Sequence, residues 1–319
     1  MNILVMGAGA IGSVLGGFLA KAGHTVTLVG RATHMDAIER NGLTLSGIFG
    51  EHRIESLRPC VAVSEAAGAA YDFIFLTVKS YDTERAVEEL VPVVSTTTLV
   101  CSYQNGLGNV DAVAARFGWP RTVGARAIYG VRLPEPGHAE VTVIAKPTAI
   151  GRYDAATSEA PIKQIAEDLD TAGLPTVYTE RIATILWSKV AYNCALNPLS
   201  ALLDVPYGRL LETAETRELM TEIVHELYAV GKTMGVELDP DNAEAYRRQL
   251  FEELIPPTAN HYASMREDFR LKRRTEIGAL NGAIAAFGRE QGIATPTNTH
   301  LTRLVRAHEQ LHARQQSAG

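Results

Sequence analysis

The segment NILVMGAGAIGSVLGGFLA, residues 2–20, decides the fold of the first half of the chain. Its first apolar run, Ile3–Met6, is typical of a buried strand, and its last part is typical of a closely packed helix. Between the two, the pattern G-x-G-x-x-G is formed by Gly7, Ala8, Gly9, Ala10, Ile11 and Gly12. The first glycine permits a tight turn, the second lets the backbone approach a pyrophosphate, and the third lets helix and strand pack closely. The order strand, turn, helix therefore predicts that these residues bind a dinucleotide at the positive end of the helix dipole. A merely tight turn is the alternative.

The end of the second predicted strand indicates which dinucleotide is bound. An NAD enzyme usually carries Asp or Glu at this point, where it binds the ribose hydroxyls. Here Leu28 and Val29 are followed by Gly30 and Arg31, so a carboxylate is replaced by a guanidinium. A guanidinium suits the dianionic 2′-phosphate, and we therefore predict NADP (NADPH) as cofactor, with Arg31 as one of its ligands. A surface arginine at a helix start is the alternative.

The chain changes character near residue 180. Before it, helical patterns alternate with short apolar runs that predict the strands Asn2–Met6, Thr25–Val29, Asp72–Val78, Leu99–Tyr103 and Thr122–Ile128. After it, strand patterns stop, and long helical patterns cover Arg181–Leu203, Arg209–Met234, Asp241–Leu254 and Arg274–Gln291. The predicted fold class is α/β: an NADP-binding domain over 1–180 with a Rossmann-type doubly wound parallel sheet, and an all-α substrate and catalytic domain over 181–319.

Composition restricts the partners. The formal net charge of −6 argues against a nucleic acid, because no surplus of cations is present to displace counterions. Three separated cysteines without a CxxC pair suit a reducing cytoplasm, and nine scattered histidines give no metal-ligand spacing. Ile3–Ala20 is uncharged, but it lacks a basic flank and contains five glycines, so we expect neither a signal peptide nor a membrane span. The apolar helices of the second half could bury a homodimer interface or build the core of their own domain.

Polar residues interrupt apolar segments at three further places. Lys79 follows the strand pattern of residues 73–76, and Asn105 follows the next one. The carboxyl ends of parallel strands face the ligand crevice, so both are candidate binding residues. Lys189, Asn193 and Asn197 recur at steps of four and form one polar stripe on a predicted helix. A lysine ending a strand in solvent, a turn asparagine and a solvated helix face are the respective alternatives.

Together these segments resemble the ketopantoate reductase family (2-dehydropantoate 2-reductase). The resemblance rests on GAGAIG at 7–12, Arg31, TVKSYDT at 77–83, QNGLGN at 104–109, WSKVAYNCALNPLSAL at 187–202 and SMREDFRLKRRTEIGALNG at 264–282. It implies that Lys189 is the proton donor and that Glu276 lies in the active site beside the cofactor. It also implies that substrate is bound by Asn105, Asn193, Asn197 and Ser264, and that cofactor is contacted by Arg31, Lys79 and Asn105.

The implied reaction is NADPH-dependent reduction of 2-dehydropantoate to pantoate in pantothenate and coenzyme A biosynthesis. Hydride would reach the C2 ketone, and Lys189 would protonate the alkoxide as it forms. Reduction of another small 2-oxo acid is one alternative, and a non-catalytic NADP-sensing binding protein is another. Two departures from the family pattern bear on specificity: Tyr207 stands where family members can carry a further asparagine, and residues 127–146 align poorly.

One structural prediction comes from spacing alone. Ser264 and Glu276 are twelve residues apart. That is about 18 Å along a continuous helix, too far for one small substrate to contact both. If both residues serve one site, the helix must break, and we predict the break within Glu267–Arg273.

Overall fold

The computed structural model describes residues 1–314, with side chains as far as His312. The chain divides into two compact units. The first comprises Met1–Gln104 and Asn109–Ile182, and the second comprises the described chain from Ala183 onward together with Asn105–Gly108. This tetrapeptide groups with the second unit although it lies within the first 180 residues of the chain.

A ten-stranded sheet forms the centre of the first unit. Its strands are β1 (Asn2–Met6), β2 (Thr25–Val29), β3 (Leu43–Gly47), β4 (His52–Ile54), β5 (Leu57–Cys60), β6 (Phe73–Leu76), β7 (Leu99–Ser102), β8 (Thr122–Glu135), β9 (His138–Arg152) and β10 (Thr176–Tyr178). Neighbouring strands follow the order β4-β3-β9-β8-β7-β6-β1-β2-β5, with β10 beside β9. From β5 to β8 all neighbours are parallel, and the chain crosses from one side of β1 to the other between β5 and β6. This is the doubly wound arrangement predicted from the sequence, with its switch point at β1 and β6.

The sheet also has an antiparallel part that the sequence did not predict. β8 and β9 form one long hairpin, with β9 antiparallel to β8. β3 and β10 run parallel to β9, and β4 runs antiparallel to β3.

Helices cover both faces of this sheet. They are α1 (Ala10–Lys21), α2 (Ala32–Asn41), α3 (Thr83–Glu89), α4 (Asn109–Phe117) and α5 (Glu159–Ala172). On one face α1, α2 and α5 pack around Phe73 and Phe75. On the other face α3 and α4 pack against Ile74 and Leu76. Successive residues of β6 thus enter opposite cores, as a central strand with an unbroken apolar sequence requires.

The second unit is helical throughout its described part. It contains α6 (Ile182–Leu203), α7 (Ala214–Thr233), α8 (Ala243–Gln249), α9 (Ser264–Arg270), α10 (Asn281–Gln291) and α11 (Pro296–Arg314). Its apolar core combines residues of α6, α7, α10 and α11, among them Leu196, Leu227, Ile284 and Val305, each fully buried. The apolar helical faces noted in the sequence therefore build the core of this unit.

Several predicted boundaries in this unit were wrong. The single helix predicted over 209–234 does not form. Helix α7 begins only at Ala214, because Thr213 caps its start by accepting a hydrogen bond from the Thr216 amide. The pattern over 274–291 becomes helical only at Asn281, and a single 3₁₀ turn occupies Ile277–Ala279. The predicted break between Ser264 and Glu276 is confirmed: α9 ends at Arg270, and Lys272 adopts a left-handed conformation with φ +51°.

The described residues contain neither a membrane-spanning helix nor a cluster of metal ligands. No helix among residues 1–314 combines the length and apolar character needed to cross a membrane. In the same residues, no group of three or more His, Cys, Asp or Glu side chains could hold a metal ion.

Candidate active site

The glycine turn that follows β1 is sterically specified. Gly7 has φ +108°, and a Cβ there would lie 2.5 Å from the Val78 amide nitrogen. A Cβ at Gly12 would lie 2.5 Å from the Gly7 oxygen and 2.6 Å from Thr77 Oγ1. The Thr77 hydroxyl donates to the Gly7 carbonyl at 2.9 Å, so the end of β6 holds the turn in place. Only glycine fits at positions 7 and 12, as the sequence pattern required.

The same turn leaves backbone donors for an anion. The amides of Gly7 and Ala8 donate to the Val29 carbonyl at 2.9 and 2.8 Å. Helix α1 begins at Ala10 and has no side-chain cap at Gly9. The N–H groups of the first helical turn have no acceptor within their helix, so those of residues 10–12 fit the oxygens of a pyrophosphate.

Arg31 lies next to this turn. It occupies the position before α2 in an extended conformation, and its side chain is exposed. The preceding Gly30 approaches the glycine turn so closely that a Cβ there would lie 3.1 Å from Ala8 Cβ. The residues present therefore fit a nucleotide whose pyrophosphate binds at the start of α1.

A buried glutamine joins the ends of β6 and β7. The Gln104 amide group donates to the Val78 carbonyl at 3.0 Å and to Thr83 Oγ1 at 2.7 Å, and its carbonyl accepts from Ser102 Oγ at 3.2 Å. Val78 precedes Lys79, which is exposed and starts the 3₁₀ turn before α3. The glutamine thus fixes the backbone that carries Lys79, a role that sequence reasoning missed.

Within the second unit, Lys189 and Asn105 are brought together although 84 residues separate them. The Lys189 ammonium donates to Asn105 Oδ1 at 2.7 Å. Lys189 is half-buried on α6, and Asn105 is the first residue of the tetrapeptide that groups with this unit. A neutral amide oxygen orients the ammonium without adding a negative charge beside it.

The tetrapeptide also packs against the turn that starts at Glu276. The Leu107 amide donates to the Ala279 carbonyl at 2.8 Å, and Gly106, with φ +91°, lies so close that any Cβ would overlap Ala279. The Glu276 carbonyl accepts from the Ala279 amide at 3.0 Å, which closes the turn. The tetrapeptide therefore contacts both Lys189 and the turn that carries Glu276.

The remaining predicted substrate residues have different environments. Asn197 is 6% exposed, and its Oδ1 accepts the hydroxyl proton of Tyr207 at 2.8 Å. Burial raises the pKa of Tyr207, so this hydroxyl stays protonated and donates. Asn193 is half-buried one turn away from Asn197, and Ser264 is exposed at the start of α9.

A proline in α6 explains the buried position of Asn281. Pro198 has no N–H, so the carbonyl of Cys194, four residues earlier, lacks its helical donor. Asn281 Nδ2 replaces that donor at 3.1 Å and also donates to Asn298 Oδ1 at 3.0 Å. Asn281 is fully buried at the first residue of α10. The sequence contained the signal, a proline inside a helical pattern, but it did not indicate the partner.

Comparisons with known proteins cover both units. Residues 3–155 match the family model described as "Ketopantoate reductase PanE/ApbA", and residues 181–309 match "Ketopantoate reductase PanE/ApbA C terminal". A 2-dehydropantoate 2-reductase of Aquifex aeolicus is 38% identical over 309 residues, 97% of each chain. One from Pyrococcus horikoshii is 34% identical over 98% of each chain.

Solved structures agree with this. A PanE/ApbA family ketopantoate reductase from Ralstonia eutropha JMP134 is 32% identical, with a TM-score of 0.84 over 97% of this chain and 99% of that one. A D-mandelate dehydrogenase solved with NADH and anilino(oxo)acetate is 27% identical, with a TM-score of 0.83 over the same shares of the two chains.

Proposed function

The chain belongs to the ketopantoate reductase family of oxidoreductases acting on CH–OH groups, and from this premise we propose that it reduces 2-dehydropantoate to pantoate with NADPH. The observation that carries the proposal is the 2.7 Å hydrogen bond between Lys189 and Asn105, on a tetrapeptide packed against the Glu276 turn. The pathway proposed for this step is the synthesis of pantothenate and coenzyme A.

We propose NADPH rather than NADH because of the end of β2. Arg31 follows this strand, and no carboxylate stands there to bind the ribose hydroxyls of NADH. The similar D-mandelate dehydrogenase was solved with NADH, so the choice of nucleotide varies among proteins of this fold. Lys79 and the backbone of residues 7–12 complete the proposed nucleotide ligands, with Asn105 and Glu276 at the nicotinamide end.

In the proposed mechanism, Lys189 supplies the proton. A reduced nicotinamide cofactor held by Arg31, Lys79 and the backbone of residues 7–12 would supply the hydride that the C2 carbonyl carbon gains. The Lys189 ammonium would transfer a proton to the C2 oxygen, so that one C–H and one O–H bond replace the C=O double bond. Asn105 accepts a hydrogen bond from the same ammonium and thereby holds it in one orientation.

Substrate positioning is proposed for the remaining polar residues. Asn193 and Ser264 are at least partly accessible, and we assign them hydrogen bonds to the substrate hydroxyl and carboxylate groups. Asn197 differs, because Tyr207 already donates to its carbonyl oxygen, and we assign its NH₂ group to the substrate. Glu276 is assigned a place beside the nicotinamide and the substrate.

A second candidate is a reductase of a different small 2-oxo acid. Tyr207 favours it, because this residue takes part of the hydrogen-bonding capacity of Asn197 and adds a buried ring beside it. The likeness to D-mandelate dehydrogenase over nearly the whole chain favours it as well. The two candidates share the cofactor and the proton donor and differ only in substrate.

Steady-state kinetics test the proposal. NADPH and NADH oxidation is followed at 340 nm against 2-dehydropantoate, benzoylformate and branched 2-oxo acids, and each product is identified by mass spectrometry. The proposal expects the highest kcat/KM for 2-dehydropantoate with NADPH. A higher value for another 2-oxo acid would transfer the assignment to the second candidate, and no oxidation with any acid would favour a nucleotide-sensing protein.

All three cysteines are free and buried, which supports the cytoplasm as the location that we propose for this protein.

A further inference from the structure

A buried arginine in the first unit has a guanidinium nitrogen that makes no hydrogen bond to any described residue. Arg126, on β8, is 8% exposed, and its Nη1 makes no hydrogen bond within residues 1–314. Arg132 of the same strand differs, because it is 67% exposed and forms an ion pair with Glu140 at 2.7 Å. Burial of an unpaired charge costs folding free energy, so such a residue is retained at the expense of stability.

The groups around Arg126 do not compensate its charge. Tyr103 donates or accepts at Thr148 Oγ1 at 3.1 Å and accepts from the Tyr129 hydroxyl at 3.2 Å. Burial raises the pKa of Tyr103 to about 12 and raises the pKa of Tyr129 well above its usual value, so both hydroxyls are neutral. Burial also lowers the pKa of Arg126, but a guanidinium keeps its proton in proteins. The position therefore holds an uncompensated cation.

The sheet places this cation at the ligand-binding edge. Gly124 of β8 pairs with Ser102, the last residue of β7, and Arg126 lies two residues further on. It is therefore beyond the carboxyl end of its parallel neighbour, the edge at which doubly wound sheets bind ligands.

The order of the strands then indicates which part of the bound cofactor or substrate lies near Arg126. Arg31 follows β2 and the glycine turn follows β1, while Arg126 is three strands from β1 in the other direction, about 14 Å at the usual strand spacing. The proposed 2′-phosphate and pyrophosphate contacts are thus made at the other end of this edge. Besides these phosphates, the substrate carboxylate is the remaining anionic group, and we place it at the β8 end.

We infer that Arg126 binds the substrate carboxylate and thereby makes the enzyme specific for 2-oxo acids over neutral ketones. This inference rests on the proposed function. A planar guanidinium matches a carboxylate with two parallel hydrogen bonds, which a buried and otherwise unpaired arginine can supply. Arg126 would thus determine specificity.

The test compares a charged substrate with a neutral one. We measure kcat/KM of the wild type, Arg126→Met and Arg126→Lys for 2-dehydropantoate and for its lactone, in which the carboxylate is an uncharged ester. The matched control is Arg132→Met, at an exposed arginine on the same strand. For Arg126→Met we expect a loss of about 30-fold or more on the acid. We expect less than about 3-fold on the lactone, and an intermediate loss on the acid for Arg126→Lys, which keeps the charge but not the planar fork.

Stability distinguishes binding from a structural role. Replacing an unpaired buried charge by an apolar chain of similar length should leave Tm unchanged or raise it. A lower Tm for Arg126→Met, or equal losses on the acid and the lactone, would overturn the inference. If the wild type reduces no 2-oxo acid, the proposed function fails, and thermal shifts with pantoate and pantolactone decide about the anion site. Stabilisation by pantoate alone that disappears in Arg126→Met supports the site, and stabilisation that persists in the variant refutes it.

Discussion

Asn281→Ala should destabilise the second unit far more than an ordinary polar substitution. The side chain is fully buried, and its Nδ2 donates to the Cys194 carbonyl and to Asn298 Oδ1. Removing it leaves two buried acceptors without a donor, at about 1–3 kcal/mol each, so we expect a loss of about 2–6 kcal/mol. The assay is urea unfolding followed by far-UV circular dichroism, with the free energy compared at equal m-value.

A proline substitution provides the control. Pro198→Ala supplies a backbone N–H four residues after Cys194, so the Cys194 carbonyl can regain a helical hydrogen bond without Asn281. In the Pro198→Ala background, Asn281→Ala should therefore cost about 1–3 kcal/mol less than in the wild type, the share of one acceptor. Equal costs in both backgrounds, or a wild-type cost below about 0.5 kcal/mol, would refute the role assigned to Asn281.

Three further predictions concern the cofactor, the proton donor and pH. Arg31→Asp should weaken NADPH binding about 10-fold or more in a fluorescence titration and NADH binding much less, and equal losses would exclude a 2′-phosphate contact. Lys189→Ala should lower kcat about 10²- to 10⁴-fold while the Kd of NADPH stays nearly constant, and an unchanged kcat would remove Lys189 as proton donor. Burial lowers the pKa of His34, which bonds Ser13 Oγ at 2.9 Å and the Gly137 amide at 3.0 Å. Its folded pKa is therefore below the unfolded value of 6.5. The stability that neutral His34 contributes is therefore present above pH 6.5 and is lost as the pH falls through the folded pKa. His34→Gln should flatten the fall in unfolding free energy below about pH 6.5, and an unchanged slope would contradict this reasoning.

The parts of the fold that the sequence predicted best are those with strong local patterns. β1 and β2 have the predicted bounds, and a helix, α1, follows the glycine turn as predicted, because an apolar strand, a glycine turn and an apolar helix follow one another without interruption. β3, β4 and β5 were missed because they are short and half-polar, and β4 and β5 are in addition edge strands. α11 was missed because only a narrow stripe, including Leu301 and Val305, enters the core of an otherwise polar helix.

The candidate site, like the fold, was predicted only in part from the sequence. Residue types and spacing singled out Lys189, Asn105 and Glu276 as candidates, but no local pattern could pair residues that are 84 positions apart. The partners of buried amides were equally hidden, since Gln104 contacts a neighbouring strand end and Asn197 contacts Tyr207. Amide side chains donate and accept in many geometries, so only the fold decides whether they meet a ligand or the protein.

Isotope transfer tests the central claim most directly. The enzyme is incubated with 2-dehydropantoate and with NADPH deuterated at C4 of the nicotinamide on the transferred face, and the pantoate formed is analysed by mass spectrometry. We expect the wild type to form pantoate that is heavier by one mass unit, with the deuterium on C2, and we expect Lys189→Ala to form much less of it. No pantoate, or pantoate without deuterium on C2, would contradict the proposed hydride transfer.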